Sequence, residues 1–143
     1  MDLVSALCER IKAPREFRDL ALLVTRFHTR VHKALDMKPA KVVRLLSDCD
    51  AFRRPERFAE FLLSCRVDAT GRTGFEDRPY LQVKRLADAL EITRRVDAAA
   101  LRAAGTPGPQ MAEALNTERV ALLTRSESRF RKRPVHAPQA CRE

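Results

Sequence analysis

The sequence predicts an all-α fold, an irregular array of several helices. Apolar residues recur with a period near 3.6 along most of the chain, and no run shows the strict alternation of a half-buried strand. Prolines and glycines cluster between the periodic stretches, where they punctuate one helix from the next. An aromatic content of 6% with no Trp also fits helices better than a β-sandwich.

Each element has its own local reason. A short first helix is expected over Leu3–Ile11, burying Leu3, Leu7 and Ile11. From Pro14 to Leu35 the residues Phe17, Leu20, Ala21, Val24, Phe27, Val31 and Leu35 form one apolar stripe, with Pro14 and Glu16 suited to a first turn. Met37-Lys-Pro39 breaks this pattern. Pro39 then opens a helix whose Val42, Val43, Leu45 and Leu46 look inward. After Arg53-Arg54-Pro55, residues Phe58, Phe61, Leu62 and Cys65 mark one face of the next helix. Asp68 to Pro79 holds two glycines and no helical stripe, so it is expected as the longest internal loop. Tyr80–Val96 resumes the helical period through Val83, Leu86, Leu90 and Thr93. Asp97 is placed to cap a short alanine-rich helix that stops at Gly105. Pro107-Gly108-Pro109 turns the chain into a last helix carrying Met111, Leu115, Leu122 and Leu123. Beyond Thr124 the stripe ends, and residues 126–143 are expected to be a flexible basic tail.

Charge is the strongest compositional signal. The 143 residues carry 28 Lys and Arg against 19 Asp and Glu, a net +9 that favours polyanionic partners, nucleic acid before anionic membrane. No stretch approaches the ~20 apolar residues of a membrane helix, and Met1-Asp-Leu-Val-Ser lacks a signal-peptide pattern, so a cytoplasmic protein without membrane contact is expected. Cys8, Cys49, Cys65 and Cys141 are scattered, which argues for reduced thiols and against zinc or a disulfide framework. There is no P-loop, dinucleotide fingerprint or nucleophile elbow.

Three constellations remain. His28 and His32 stand at i, i+4 on one helical face, a spacing that permits metal ligation but serves packing or the surface more often. Asp48 and Asp50 sit at a helix end before Phe52-Arg53-Arg54, where capping and ion pairing are expected of them rather than metal binding. In Gly71-Arg72-Thr-Gly74 two glycines allow a sharp turn, and Arg72 offers a phosphate a bidentate fork, with Asp68 placed to cap the loop or pair with Arg72. The same residues also suit a plain connecting loop in which Gly71 ends a helix and Phe75 plugs the core.

Leu7-Cys8-Glu9-Arg10 through Phe17-Arg18-Asp19-Leu20-Ala21, followed by Phe27-His28 and His32, resembles the late HD-domain segment of bacterial CCA-adding tRNA nucleotidyltransferases of the long, multifunctional form. The likeness continues through Asp48-Cys-Asp50-Ala51-Phe52-Arg53-Arg54-Pro55. It is most specific in Asp68-Ala-Thr-Gly71-Arg72-Thr-Gly74-Phe75-Glu76, then weaker from Gly105 to Arg119, covering about residues 3–125 in order. It implies residues 1–38 as the last helices of an HD domain, 39–125 as a helical tRNA-binding body and tail, and 126–143 as the basic end. The implied partner is tRNA, with Arg53, Arg54, Arg72, Arg78, Arg131, Lys132 and Arg133 as its contacts and Asp68, Gly71 and Gly74 setting the loop.

The family reaction implied is nucleotidyl transfer from CTP and ATP to a tRNA 3′ end with two Mg²⁺ ions, beside a phosphohydrolase HD centre using Ni²⁺ or Mn²⁺. Neither the head's strand-borne Asp-x-Asp pair nor the HD doublet occurs here, since Asp48 and Asp50 stand at a helix end. His28 would be the remnant of the HD pocket, with Thr29 where relatives carry an acid, and Phe52 stands where Trp is common. The chain is therefore expected to hold tRNA, to carry no cofactor and no catalytic residue, and to be inactive alone. Two other classes remain open. One is a free-standing nucleic-acid module with a helix-turn-helix over Val42–Leu63, although its turn lacks the usual Gly. The other is an interaction domain whose apolar seam meets the absent head and HD portions or self-associates.

Overall fold

The structure, a computed structural model, describes residues 2–131. Helices α1 (Asp2–Arg10), α2 (Arg15–His32), α3 (Pro39–Asp48), α4 (Pro55–Thr70), α5 (Leu81–Thr93), α6 (Ala98–Ala103) and α7 (Met111–Arg131) follow in order, with 3-10 turns at Ala34–Asp36 and Gly108–Gln110. Among the described residues there is no strand, so the all-α expectation holds.

One core unites the array. α2 and α4 pack along each other, α5 lies against both and against the 3-10 turn after α2, and α7 closes the other side over α3 and α5. The expected inward faces of α3 and α4 are buried, as are Leu86, Leu90 and Thr93 of α5 and Leu123 of α7. Phe58 and Phe61 are almost inaccessible to solvent, with ring centroids 5.9 Å apart. Local signals also perform as expected. Asp97 Oδ1 accepts from the Ala99 N–H at 2.7 Å, and Gly105 stops α6 with φ +84°. In the α3–α4 turn Asp50 takes φ +54°, so a short polar side chain stands in for the missing Gly. The two helices nevertheless pack mainly on other partners, α3 on α7 and α4 on α2, unlike a helix-turn-helix pair.

Several expectations are corrected. In α1 it is Cys8 that is buried, while Leu3, Leu7 and Ile11 are 88%, 46% and 62% exposed. Their spacing puts them on one face, but no element of the described fold covers it. α2 ends at His32, and its covered face is centred on Leu23, Phe27 and Val31, leaving Phe17 and Leu35 exposed. Asp68 lies in the last turn of α4, so the connecting loop begins at Gly71. The helix α7 continues through the first part of the expected tail, to Arg131, because its sequence offers no breaker and Glu127 is tied by an ion pair to Arg85 at 2.9 Å. The rest of that tail lies outside the described residues.

Candidate nucleic-acid interface

The connection between α4 and α5 builds a cleft against the end of α2. Gly71 caps α4 by donating its N–H to the Val67 carbonyl at 2.7 Å, with φ near −79°. It is not a left-handed residue. Glycine is required there because a Cβ would lie 2.6 Å from that same carbonyl oxygen. The left-handed position is Gly74, at φ +85°, whose N–H donates to Glu76 Oε2 at 2.7 Å. The Phe75 N–H then donates to the Arg72 carbonyl at 2.9 Å and the Arg78 N–H to the Phe75 carbonyl at 3.1 Å, two turns that hold both arginines beside one opening.

The opening leads to a cavity of about 400 Å³ lined by His32, Asp68, Arg72, Phe75, Arg78 and Tyr80, among others. Phe75 is 40% exposed and forms part of this wall instead of plugging the core. The Arg78 guanidinium sits 5.7 Å from its ring centroid. Arg72 and Arg78 are both exposed, and neither has a carboxylate partner among the described residues. Asp68 is turned elsewhere, its Oδ2 lying 3.1 Å from His32 Nε2, while His32 Nδ1 lies 2.7 Å from the Tyr80 hydroxyl. Burial, aided by the charges of Cys65 and Asp68, pushes the Tyr80 phenol up to about 12. The phenol therefore stays neutral, and the imidazole is held on both sides, by the hydroxyl at Nδ1 and by the Asp68 carboxylate at Nε2. Gln82 Nε2 also donates to the His32 backbone carbonyl at 3.2 Å, fastening the start of α5 to the end of α2.

The other residues singled out in the sequence lie elsewhere. Arg53 and Arg54 stand at the opposite end of α4, whose 16 residues span roughly 24 Å. They surround Asp50 with Arg57, at 3.9, 3.5 and 3.9 Å, so part of their charge is already answered. Asp48 takes the ion-pairing role expected of it, meeting Arg30 at 2.8 Å and Arg44 at 3.5 Å. His28 Nδ1 lies 2.9 Å from its own helix's Val24 carbonyl, and its ring meets His32 edge to face. Among the described residues no three His, Cys, Asp or Glu side chains converge on a metal position. Arg131 is the last described residue, with its side chain outside the description, and Lys132 and Arg133 lie beyond it.

Sequence reasoning did not find Tyr80, or the link from His32 to Asp68, which are 36 residues apart. It also passed over Arg119, whose guanidinium stacks 3.6 Å above the Phe52 ring and whose pKa burial lowers. No local pattern announces either contact.

The sequence has close relatives. It is 48% identical over 86% of its length to a multifunctional CCA protein of Pseudomonas fluorescens, and 43% identical over 87% to one of Hahella chejuensis. A multifunctional CCA protein of Alkalilimnicola ehrlichii is 42% identical over 94% of the chain. In each case the matched stretch is only 30–32% of the relative's length. No protein-family model and no solved structure matches the chain. The chain is thus a relative of the multifunctional CCA proteins over about a third of their length, as the resemblance implied.

Proposed function

We propose that this chain is the tRNA-holding, C-terminal segment of a CCA-adding enzyme, which transfers nucleotides from CTP and ATP to tRNA 3′ ends and carries an HD phosphohydrolase domain. The kinship with multifunctional CCA proteins carries the reading. The net charge of +9 and the unpaired Arg72 and Arg78 support it. The segment would grip phosphates and A-form shape rather than base sequence. The residues present fit neither metal set of such an enzyme. His28 offers a single imidazole, with Nδ1 occupied by a backbone carbonyl and Thr29 beside it, so no step is assigned to a metal here. Transfer and phosphohydrolysis would belong to the head and HD portions. Such a role is cytoplasmic, and no helix among the described residues is long and apolar enough to cross a membrane.

The test is tRNA binding to the purified chain, followed by fluorescence anisotropy. If six or more phosphates are engaged, affinity falls by roughly 10³ between low and moderate salt. Absent or salt-insensitive binding would refute the reading.

The exposed Leu3, Leu7 and Ile11 favour a second role for α1 as a contact face, with self-association when the chain is alone. Sedimentation velocity should show a concentration-dependent dimer that Leu7→Glu abolishes. A monomer at every concentration would remove this role.

A further inference from the structure

We infer that the cleft between the 71–80 loop and the end of α2 receives one unstacked nucleotide of an RNA strand, its base against Phe75 and its phosphate between Arg72 and Arg78. This rests on the RNA-holding reading above and specifies what this cleft takes. The cavity of about 400 Å³ is of the size that encloses a small organic group. Its wall combines what a nucleotide needs. Phe75 presents a partly exposed ring, and two guanidinium groups without carboxylate partners flank it. Bases stack on aromatic rings whatever their identity, and arginine supplies both phosphate forks and planar stacking.

The one acidic group in the wall is already occupied. Asp68 faces His32 Nε2, and His32 is held from its other side by Tyr80, so the carboxylate already has a partner other than the arginines. The loop is also fixed before any ligand arrives. Gly71 and Gly74 set its two bends, and Tyr80 anchors its far end, which keeps Phe75 and both arginines at one opening. By contrast, Arg53 and Arg54 lie a helix length away, paired with Asp50.

The experiment uses the full chain and an RNA hairpin with one bulged nucleotide. The comparison probe is the same hairpin with an abasic residue at the bulge, which keeps every phosphate and removes only the base. The bulged probe should bind about tenfold tighter, the scale of one base–aromatic stack. Phe75→Ala should erase that preference, so that the two hairpins bind the variant alike. Phe75→Trp should retain it. Because the chain has no Trp, the new indole's emission reports this site alone, and the bulged base should quench it while the abasic probe does not. Equal affinity of wild type for the two probes, or a preference that survives Phe75→Ala, overturns the nucleotide pocket. Salt-dependent binding of both probes would in that case still leave the tRNA-holding reading standing. Binding to neither probe removes both. Free AMP that displaces the hairpin at micromolar concentration would reassign the cleft to a mononucleotide and overturn the strand.

Discussion

Replacing Arg72 and Arg78 together with alanine separates the cleft's electrostatics from its architecture. Neither side chain has an ion-pair partner, both are exposed, and the loop's turns are held by backbone groups and by Tyr80. The double variant should therefore melt like the parent, within about 0.5 kcal/mol per substitution. If each arginine neutralises one phosphate, the slope of log affinity against log salt falls by ~0.7–0.9 for each. Over a fourfold rise in salt, from about 50 to 200 mM, one such contact is worth about threefold in affinity and two are worth about tenfold. The parent's loss of tRNA affinity across that range should thus exceed the double variant's by about tenfold. The Arg53→Ala, Arg54→Ala pair should change the slope less, because Asp50 already offsets part of their charge. The assay is anisotropy of labelled tRNA at several salt concentrations, with circular dichroism as the folding control. An unchanged slope in the Arg72 and Arg78 variant would refute the argument, and so would a larger change in the Arg53 and Arg54 pair.

Other consequences follow from packing and burial. Gly71→Val should destabilise more than Gly74→Ala in thermal melts, since the first drives a Cβ onto the Val67 carbonyl at 2.6 Å, whereas the second meets no atom within 4 Å and incurs only the positive-φ cost of about 1–2 kcal/mol. Arg85→Met should cost about 3 kcal/mol by chemical denaturation, because it removes charge-assisted bonds to the Leu35 and Met37 carbonyls and to Glu127. Burial pushes the thiols of Cys49 and Cys65 from 9.0 up to about 12 and the Tyr80 phenol from 10.0 up to about 12. Between these limits the unfolded chain sheds protons that the native one retains, so their contribution is complete below about pH 9 and disappears as pH rises towards 12. The melting temperature should fall steadily across that window, less steeply in a Cys49→Ala, Cys65→Ala variant. A flat profile would show that these groups reach solvent.

Periodicity made α3, α4 and α5 legible because their stripes, Val42 to Leu46, Phe58 to Cys65 and Leu86 to Thr93, all face the one core. The same reasoning failed for α1. Spacing says which residues share a face, and says nothing about whether another element covers it; Leu3, Leu7 and Ile11 share a face that stays open. In α2 the stripe through Phe17 and Leu35 overran the length that α4 covers, and Leu23 was passed over. At the cleft, the glycines and arginines were visible as local chemistry. The wall opposite was not, since the contacts joining His32 to Asp68 and to Tyr80 span 36 and 48 residues and leave no trace in any window of sequence. Gly71 was legible as the end of α4, but the close approach behind it was not, because a backbone contact of 2.6 Å is a three-dimensional fact.

Arg85 links segments distant in sequence. Its guanidinium takes the Leu35 and Met37 carbonyls on one side and Glu127 on the other, while its Nε is buried without a partner. A half-buried cation in that position is tolerable only when both sides are docked, because removing either set leaves charge facing fewer acceptors in a poorly hydrated place. Departure of α7 would therefore loosen the turn after α2, and loosening of that turn would weaken the hold on α7. Small helical arrays often come apart piecemeal, one helix at a time. In this one a single guanidinium bonds to both the first and the last third of the described fold, a link that opposes their separate opening.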